Sequence, residues 1–97
     1  MTKNLSRVDY SRVFTKQLKK APLKIKEAFR KRRELFFEKP FSLQLNNHQL
    51  TGEYKGHRSI NITGDWRAIF IEILDDEEGN KTILFKFIGT HSRLYRR

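Results

Sequence analysis

The spacing of apolar and polar positions changes its period once, near the middle of the chain. A short extended piece at residues 7–10 opens the pattern. Ser11 then suits a helix N-cap, and Phe14 and Leu18, four residues apart, mark one face of a first helix. Ala21-Pro22 ends it, because proline has no amide hydrogen and restricts the residue before it. The same proline suits the first turn of a second helix. From Leu23 to Glu38, the residues Ile25, Ala28, Phe29, Leu35 and Phe36 recur at helical spacing, with Lys24, Lys26, Arg30, Lys31 and Arg33 between them. This is an amphipathic helix with a basic outer face, stopped by Lys39-Pro40. Residues 41–50 read as a loop or irregular strand containing Asn46-Asn47-His48.

After Gly52 the period is two. Residues 57–63 put Ile60 and Ile62 on one face of a strand and Ser59 and Asn61 on the other. Gly64-Asp65 signals a turn. Residues 66–74 form a strongly apolar strand expected at the centre of a sheet. The acidic stretch 75–80, closing with Gly79-Asn80, reads as a solvated hairpin loop. Across residues 81–90, Ile83, Phe85 and Phe87 alternate against Leu84, Lys86 and Ile88 in a further strand, and residues 91–97 read as a short tail. The result is an α+β fold. Two N-terminal helices pack on one face of a small, mostly antiparallel twisted sheet of three or four strands, and the other face is free to present polar side chains.

Composition narrows the class. Ninety-seven residues make one domain spanning residues 1–97, with a modest core and no room for a separate cofactor domain. Eight Phe and 37% hydrophobic residues are too many for a disordered chain. The absence of cysteine excludes disulfides and thiolate metal sites. No apolar segment after Lys3 and Arg7 reads as a signal peptide, and no run approaches a membrane span, so a cytoplasmic protein is expected. Net charge is +10, and residues 1–40 hold thirteen Lys/Arg against four Asp/Glu. A positive field on the N-terminal half attracts polyanions: a nucleic acid, an anionic membrane or an acidic protein.

The residues able to carry chemistry lie mostly in the second half. His48, His57 and His91 are of the residue type best suited to proton transfer near neutral pH, and no close metal-ligand spacing joins them. Arg58 and Arg67 flank the Gly64-Asp65 turn, where they can share a sheet face and grip one phosphate. Asp65 can orient a histidine, and Trp66 can stack on a base. Tyr95 stands among Arg93, Arg96 and Arg97, a setting for base stacking beside phosphate. A basic domain of this kind could equally bind RNA without catalysis.

Four stretches in order carry a resemblance: Leu45-Asn46-Asn47-His48-Gln49-Leu50-Thr51-Gly52; Tyr54-Lys55-Gly56-His57-Arg58-Ser59-Ile60-Asn61-Ile62; Gly64-Asp65-Trp66-Arg67-Ala68-Ile69-Phe70; and Ile88-Gly89-Thr90-His91-Ser92-Arg93-Leu94-Tyr95. Together they resemble the RelE/YafQ family of bacterial type II toxin–antitoxin toxins, over a little more than half of the chain. The resemblance implies two helices packed on an antiparallel-dominated sheet. It implies a ribosome-dependent endoribonuclease, acting without metal or other cofactor, in which the 2′-hydroxyl beside the scissile phosphate attacks it. His48 and His91 match the family's catalytic histidines, Asp65 its aspartate, and Tyr95 a position held by Phe or Tyr. On that reading His48 or Asp65 takes the 2′-hydroxyl proton and His91 donates to the leaving oxygen. Arg58 and Arg67 neutralise the phosphate, and Trp66 and Tyr95 position bases. Asn61, His57, Lys55, Lys24, Lys31 and Arg33 contact RNA. The chain departs from YafQ-like members at Asn61, where they carry a further histidine; an amide cannot transfer a proton near neutral pH. The expected partners are a cognate antitoxin protein and the ribosome with mRNA in its decoding site, with no membrane. Two alternatives remain: a ParE-like gyrase inhibitor of the same fold, and a catalytically decayed RNA-binding toxin.

Overall fold

Ser11 has an extended backbone (φ −70°, ψ 162°), and its hydroxyl accepts the Phe14 N–H, which starts α1 (Arg12–Lys20). Ala21 closes α1 by donating its N–H to the Leu18 carbonyl. Pro22 stands at the N-cap of α2 (Leu23–Glu38), and the N–H of Lys39 closes that helix onto the Leu35 carbonyl. Both boundaries follow from the local chemistry of serine and proline. In this computed structural model, residues 5–75 and 77–95 are described. Asp76 of the acidic loop, and Arg96 and Arg97 beside Tyr95, lie outside the described residues.

The strands are β1 (Leu5–Tyr10), β2 (His48–Gln49), β3 (Arg58–Asn61), β4 (Trp66–Leu74) and β5 (Lys81–Thr90), followed by a short helix, α3 (His91–Tyr95). They form one five-stranded sheet in the order β1-β5-β4-β3-β2. The meander β2–β5 is antiparallel, and β1 pairs with β5 in parallel. The sheet is thus wider than three or four strands: the extended piece at the start and the two residues His48 and Gln49 both join it. That both join the sheet could not be read locally, because each is held by a partner distant in sequence. β4 is central, as its continuous apolar run requires.

α1 and α2 cover one face. Phe14 of α1 and Phe29 and Phe36 of α2 meet Phe70 and Phe85 of the sheet, with neighbouring ring centroids 5.1–5.6 Å apart. Leu45, Ile60, Ile62, Ala68, Ile83 and Ile88 complete the core. Each such ring stabilises the fold by roughly 1.5–3 kcal/mol through burial.

The alternation in β5 breaks at a bulge. Ile69 pairs with Phe87 but Phe70 pairs with Phe85, so Lys86 is an extra residue. Ile83, Phe85 and Ile88 therefore face the helices, and Phe87 is thrown onto the opposite face, against the expectation that Phe87 would stay with Phe85. Backbone groups around the bulge are satisfied from α1. The Ser11 hydroxyl donates to the Lys86 carbonyl (2.9 Å), and Gln17 Oε1 accepts the Ile88 N–H (2.9 Å).

Candidate active site

Residues paired across antiparallel strands share a face. His48 pairs with Ser59, Ser59 with Ile69, and Ile69 with Phe87, which makes one row on the face away from the helices. The next row is Asn61, Arg67 and Gly89. His48 and Asn61 are diagonal neighbours of these rows, roughly 7–8 Å apart at their backbones.

His48 is exposed on the edge strand, and its Nδ1 lies 2.7 Å from the Asn46 carbonyl oxygen. A carbonyl only accepts, so Nδ1 is the donor in this contact and Nε2 is the ring nitrogen left to exchange a proton. Asn46 makes this possible by adopting a left-handed backbone (φ 47°) at the end of the short turn Leu43–Leu45. Asparagine tolerates that conformation better than most residues.

Asp65, His91 and Tyr95 come together at the other side of the face. The Asp65 carbonyl accepts the His91 N–H (2.9 Å), and the rings of His91 and Tyr95 are 4.7 Å apart. The turn before β4 is held by Thr63, whose hydroxyl oxygen accepts the N–H groups of Asp65 (3.3 Å) and Trp66 (3.1 Å). Residues 91–95 form a helix within the short tail expected from the sequence. Thr90 caps it by accepting the Arg93 N–H (3.2 Å). Leu94 is buried over Gly89, where an added Cβ would stand 3.4 Å from its side chain.

Tyr54, from the turn Gly52–Tyr54, closes this end. Its hydroxyl donates to the Leu94 carbonyl (2.8 Å), and its ring meets Tyr95, Phe87 and His57 at 5.6, 5.7 and 5.8 Å. Burial first, and then nearby Glu53 and Tyr95, push the Tyr54 hydroxyl above its ordinary pKa of 10.0. His57 lies beneath it, stacked on Phe87 with 28° between the rings.

Several candidates fall elsewhere. Arg58 and Arg67 do not share a face. Arg58 pairs with Phe70 on the helix side, donates Nε to Asn47 Oδ1 (2.9 Å) and lies over Phe41 at 5.5 Å. The one-residue difference in register separates the two guanidiniums, and Arg58 anchors the loop that carries His48. Arg67 stays in the Asn61 row, and its Nη1 donates to the carbonyls of Thr63, Gly64 and Trp66. Trp66 belongs to the helix side and packs, partly buried, against the core beside Gln17, Ala21 and Ile88. Lys55 and His57 border a groove of about 620 Å³ with Gln49 and Glu72.

The basic residues of α2 also divide. Lys24 and Lys31 share a flank with Arg32 beside Ile62 and Thr63, near the turn that holds Asp65. Arg33, about 200° further round the helix than Lys31, donates to the Tyr10 hydroxyl (2.8 Å) on the opposite flank.

Among the described residues, His57 Nδ1, Ser59 Oγ and Asn61 Oδ1 are buried with no partner. Ser59 and Asn61 are alternate residues of β3, and His57, just before the strand, continues the same alternation. Ser59 and Tyr54 were not among the sequence candidates. The alternation of His57, Ser59 and Asn61 could have flagged Ser59; nothing local marks Tyr54, whose hydroxyl partner is 40 positions away. No group of three His, Asp or Glu side chains among the described residues could hold a metal ion, and no described helix is long and apolar enough to cross a membrane.

Comparison with known proteins places this geometry. The crystal structure of YafQ from E. coli strain BL21(DE3) matches with a TM-score of 0.72 and 24% identity, over 91% of this chain and 96% of that one. YafQ in the E. coli DinJ–YafQ toxin–antitoxin complex matches with a TM-score of 0.68 and 24% identity, over 91% and 94%. A YoeB/ParE toxin from Agrobacterium tumefaciens shares the fold at 12% identity, with a TM-score of 0.70 over 89% and 99%. None of the curated proteins matches the chain in sequence. The family model for YafQ, described as the bacterial toxin of a type II toxin–antitoxin system, matches residues 6–96. With the match running from β1 through α3 on a RelE-like fold, the chain belongs to the YafQ family of type II toxin–antitoxin toxins.

Proposed function

We propose that this toxin is an endoribonuclease that cuts mRNA in the decoding site of the ribosome. The observation that carries the reading is His48: its Nδ1 is committed to the Asn46 carbonyl, so its basic nitrogen is Nε2, on an exposed side chain at the site face. His91 follows β5, three strand spacings across the sheet and four residues along it from the His48 row, on the order of 19 Å away at the backbone. In this reading the scissile phosphate lies between the two, with both side chains reaching toward it.

In the proposed reaction His48 Nε2 takes the proton of the 2′-hydroxyl. The 2′-oxygen bonds to phosphorus, the bond to the 5′-oxygen breaks, and protonated His91 gives its proton to that oxygen. The products are a 2′,3′-cyclic phosphate and a free 5′-hydroxyl. Arg67 offsets charge on the pentacoordinate phosphate, and Asp65, joined to His91 through the backbone, orients that end. Asn61 offers hydrogen bonds to the ribose, and Tyr95 a ring for a base. Lys24 and Lys31 line an approach for the RNA backbone. The scheme uses protein groups alone. A cognate antitoxin is the proposed protein partner, as DinJ is for E. coli YafQ.

Primer extension on mRNA in a programmed ribosome complex tests this directly. Discrete cuts in the decoding site are expected, surviving EDTA and falling by about 10²–10⁴-fold in His91→Ala. A folded, antitoxin-free protein that leaves the mRNA whole would overturn the reading, and a DNA supercoiling assay would then test for gyrase inhibition.

A further inference from the structure

Resting on the cleavage reading, we infer that Tyr54 is a positioning residue, a clamp that holds α3 and thereby sets where His91 and Tyr95 stand. α3 has five residues, too few to be stable alone. Its order comes from a small set of ties. The His91 N–H reaches the Asp65 carbonyl (2.9 Å), Thr90 caps the Arg93 N–H (3.2 Å), and Leu94 is buried over Gly89. These ties act on the start of the helix or on one side chain. The carbonyls of a helix's last turn lack an intrahelical partner, and here the Tyr54 hydroxyl donates to the Leu94 carbonyl at 2.8 Å. The Tyr54 ring also stands edge-on to Tyr95, at 5.6 Å and 89°. The base of the clamp is firm, since Tyr54 packs on Phe87 and His57.

Tyr54 does not touch the reacting atoms in the proposed scheme. Its effect passes through α3, so its loss should appear in the chemical step and not in binding to the ribosome. A displacement of about 1 Å in a catalytic group can cost on the order of a hundredfold in rate. Loss of one tie among several is expected to cost less, roughly tenfold.

The test compares the wild-type chain with Tyr54→Phe, which keeps the ring and removes the hydroxyl. Single-turnover cleavage on saturating programmed ribosomes gives the rate, ribosome pelleting gives Kd, and backbone ¹⁵N relaxation gives the order of residues 91–95. The expected result is a roughly tenfold slower rate at unchanged Kd, with lower heteronuclear NOE values confined to α3. Unchanged rate and unchanged order would overturn the clamp. If Tyr54→Phe failed to fold, Thr90→Val would release the same helix from its other end, with the same split of rate from Kd expected and no change in either being fatal. Failure of the wild-type chain to cleave would count against the nuclease reading alone, because the relaxation data judge the clamp without reference to activity.

Discussion

Phe85 and Phe87 stand two residues apart on β5 and face opposite ways, and their surroundings differ in kind. Phe85 touches Tyr10, Phe14, Phe29, Phe36 and Phe70, all within the covered side of the sheet. Phe87 touches Tyr54 and His57 and carries the Lys86 ammonium 6.0 Å above its ring. The covered face is apolar side chain against apolar side chain. The other face sets polar atoms without partners over an apolar floor: His57 Nδ1, Ser59 Oγ and Asn61 Oδ1. A buried polar group left without any hydrogen bond costs about 1–3 kcal/mol, so what satisfies these three atoms sets how much stability this face gives up. Such a division is common where a fold keeps reactive groups in place.

The comparison can be broken most sharply at those two rings. Phe85→Ala should destabilise the fold by about 3–5 kcal/mol, enough to unfold much of a small domain in a urea titration. Phe87→Ala should cost at most about 2 kcal/mol. Equal losses would mean that the two faces are not energetically distinct. A second contrast separates the flanks of α2. Replacing Lys24 and Lys31 by Glu should weaken ribosome binding by roughly tenfold or more at 50 mM salt and flatten its salt dependence, whereas Arg33→Glu, on the far flank, should do much less. Equal effects would mean that the positive field acts as a whole. The smallest effect belongs to Ser59→Ala. A buried hydroxyl with a good partner costs about 1 kcal/mol to remove, whereas this one, lacking a protein partner, should change stability by less than that or raise it. A clear loss in thermal melting would show that a bound water satisfies Ser59.

Much of the candidate site was legible. His48, Asp65 and His91 stood out as residue types suited to proton transfer; strand pairing sets His48 beside Ser59, and the Asp65 carbonyl meets the His91 N–H. What misled was parity. Arg58 and Arg67 look equivalent around a turn, but strand pairing sets Arg58 opposite Phe70 and Arg67 opposite Asn61. Trp66 was read as a base platform, and register puts it with Ala68 and Ile88 against the core. Arg33 was grouped with Lys31 by charge, although helical rotation separates them. In each case the direction of the side chain depended on a partner strand or on the angle around a helix.

By itself the sequence determined whatever depends on near neighbours: the serine cap of α1, the proline between the helices, the bounds of β4 and β5, and the basic charge of α2. These are short-range effects of backbone restriction and side-chain period. Only the tertiary structure decided that β1 lies parallel to β5, that an extra residue at Lys86 turns Phe87 over, that residues 91–95 coil into a helix, and that Tyr54 reaches Leu94. Each of these joins segments distant in the chain, or depends on backbone groups that only such a partner can satisfy, and local spacing carries no record of which partner that will be.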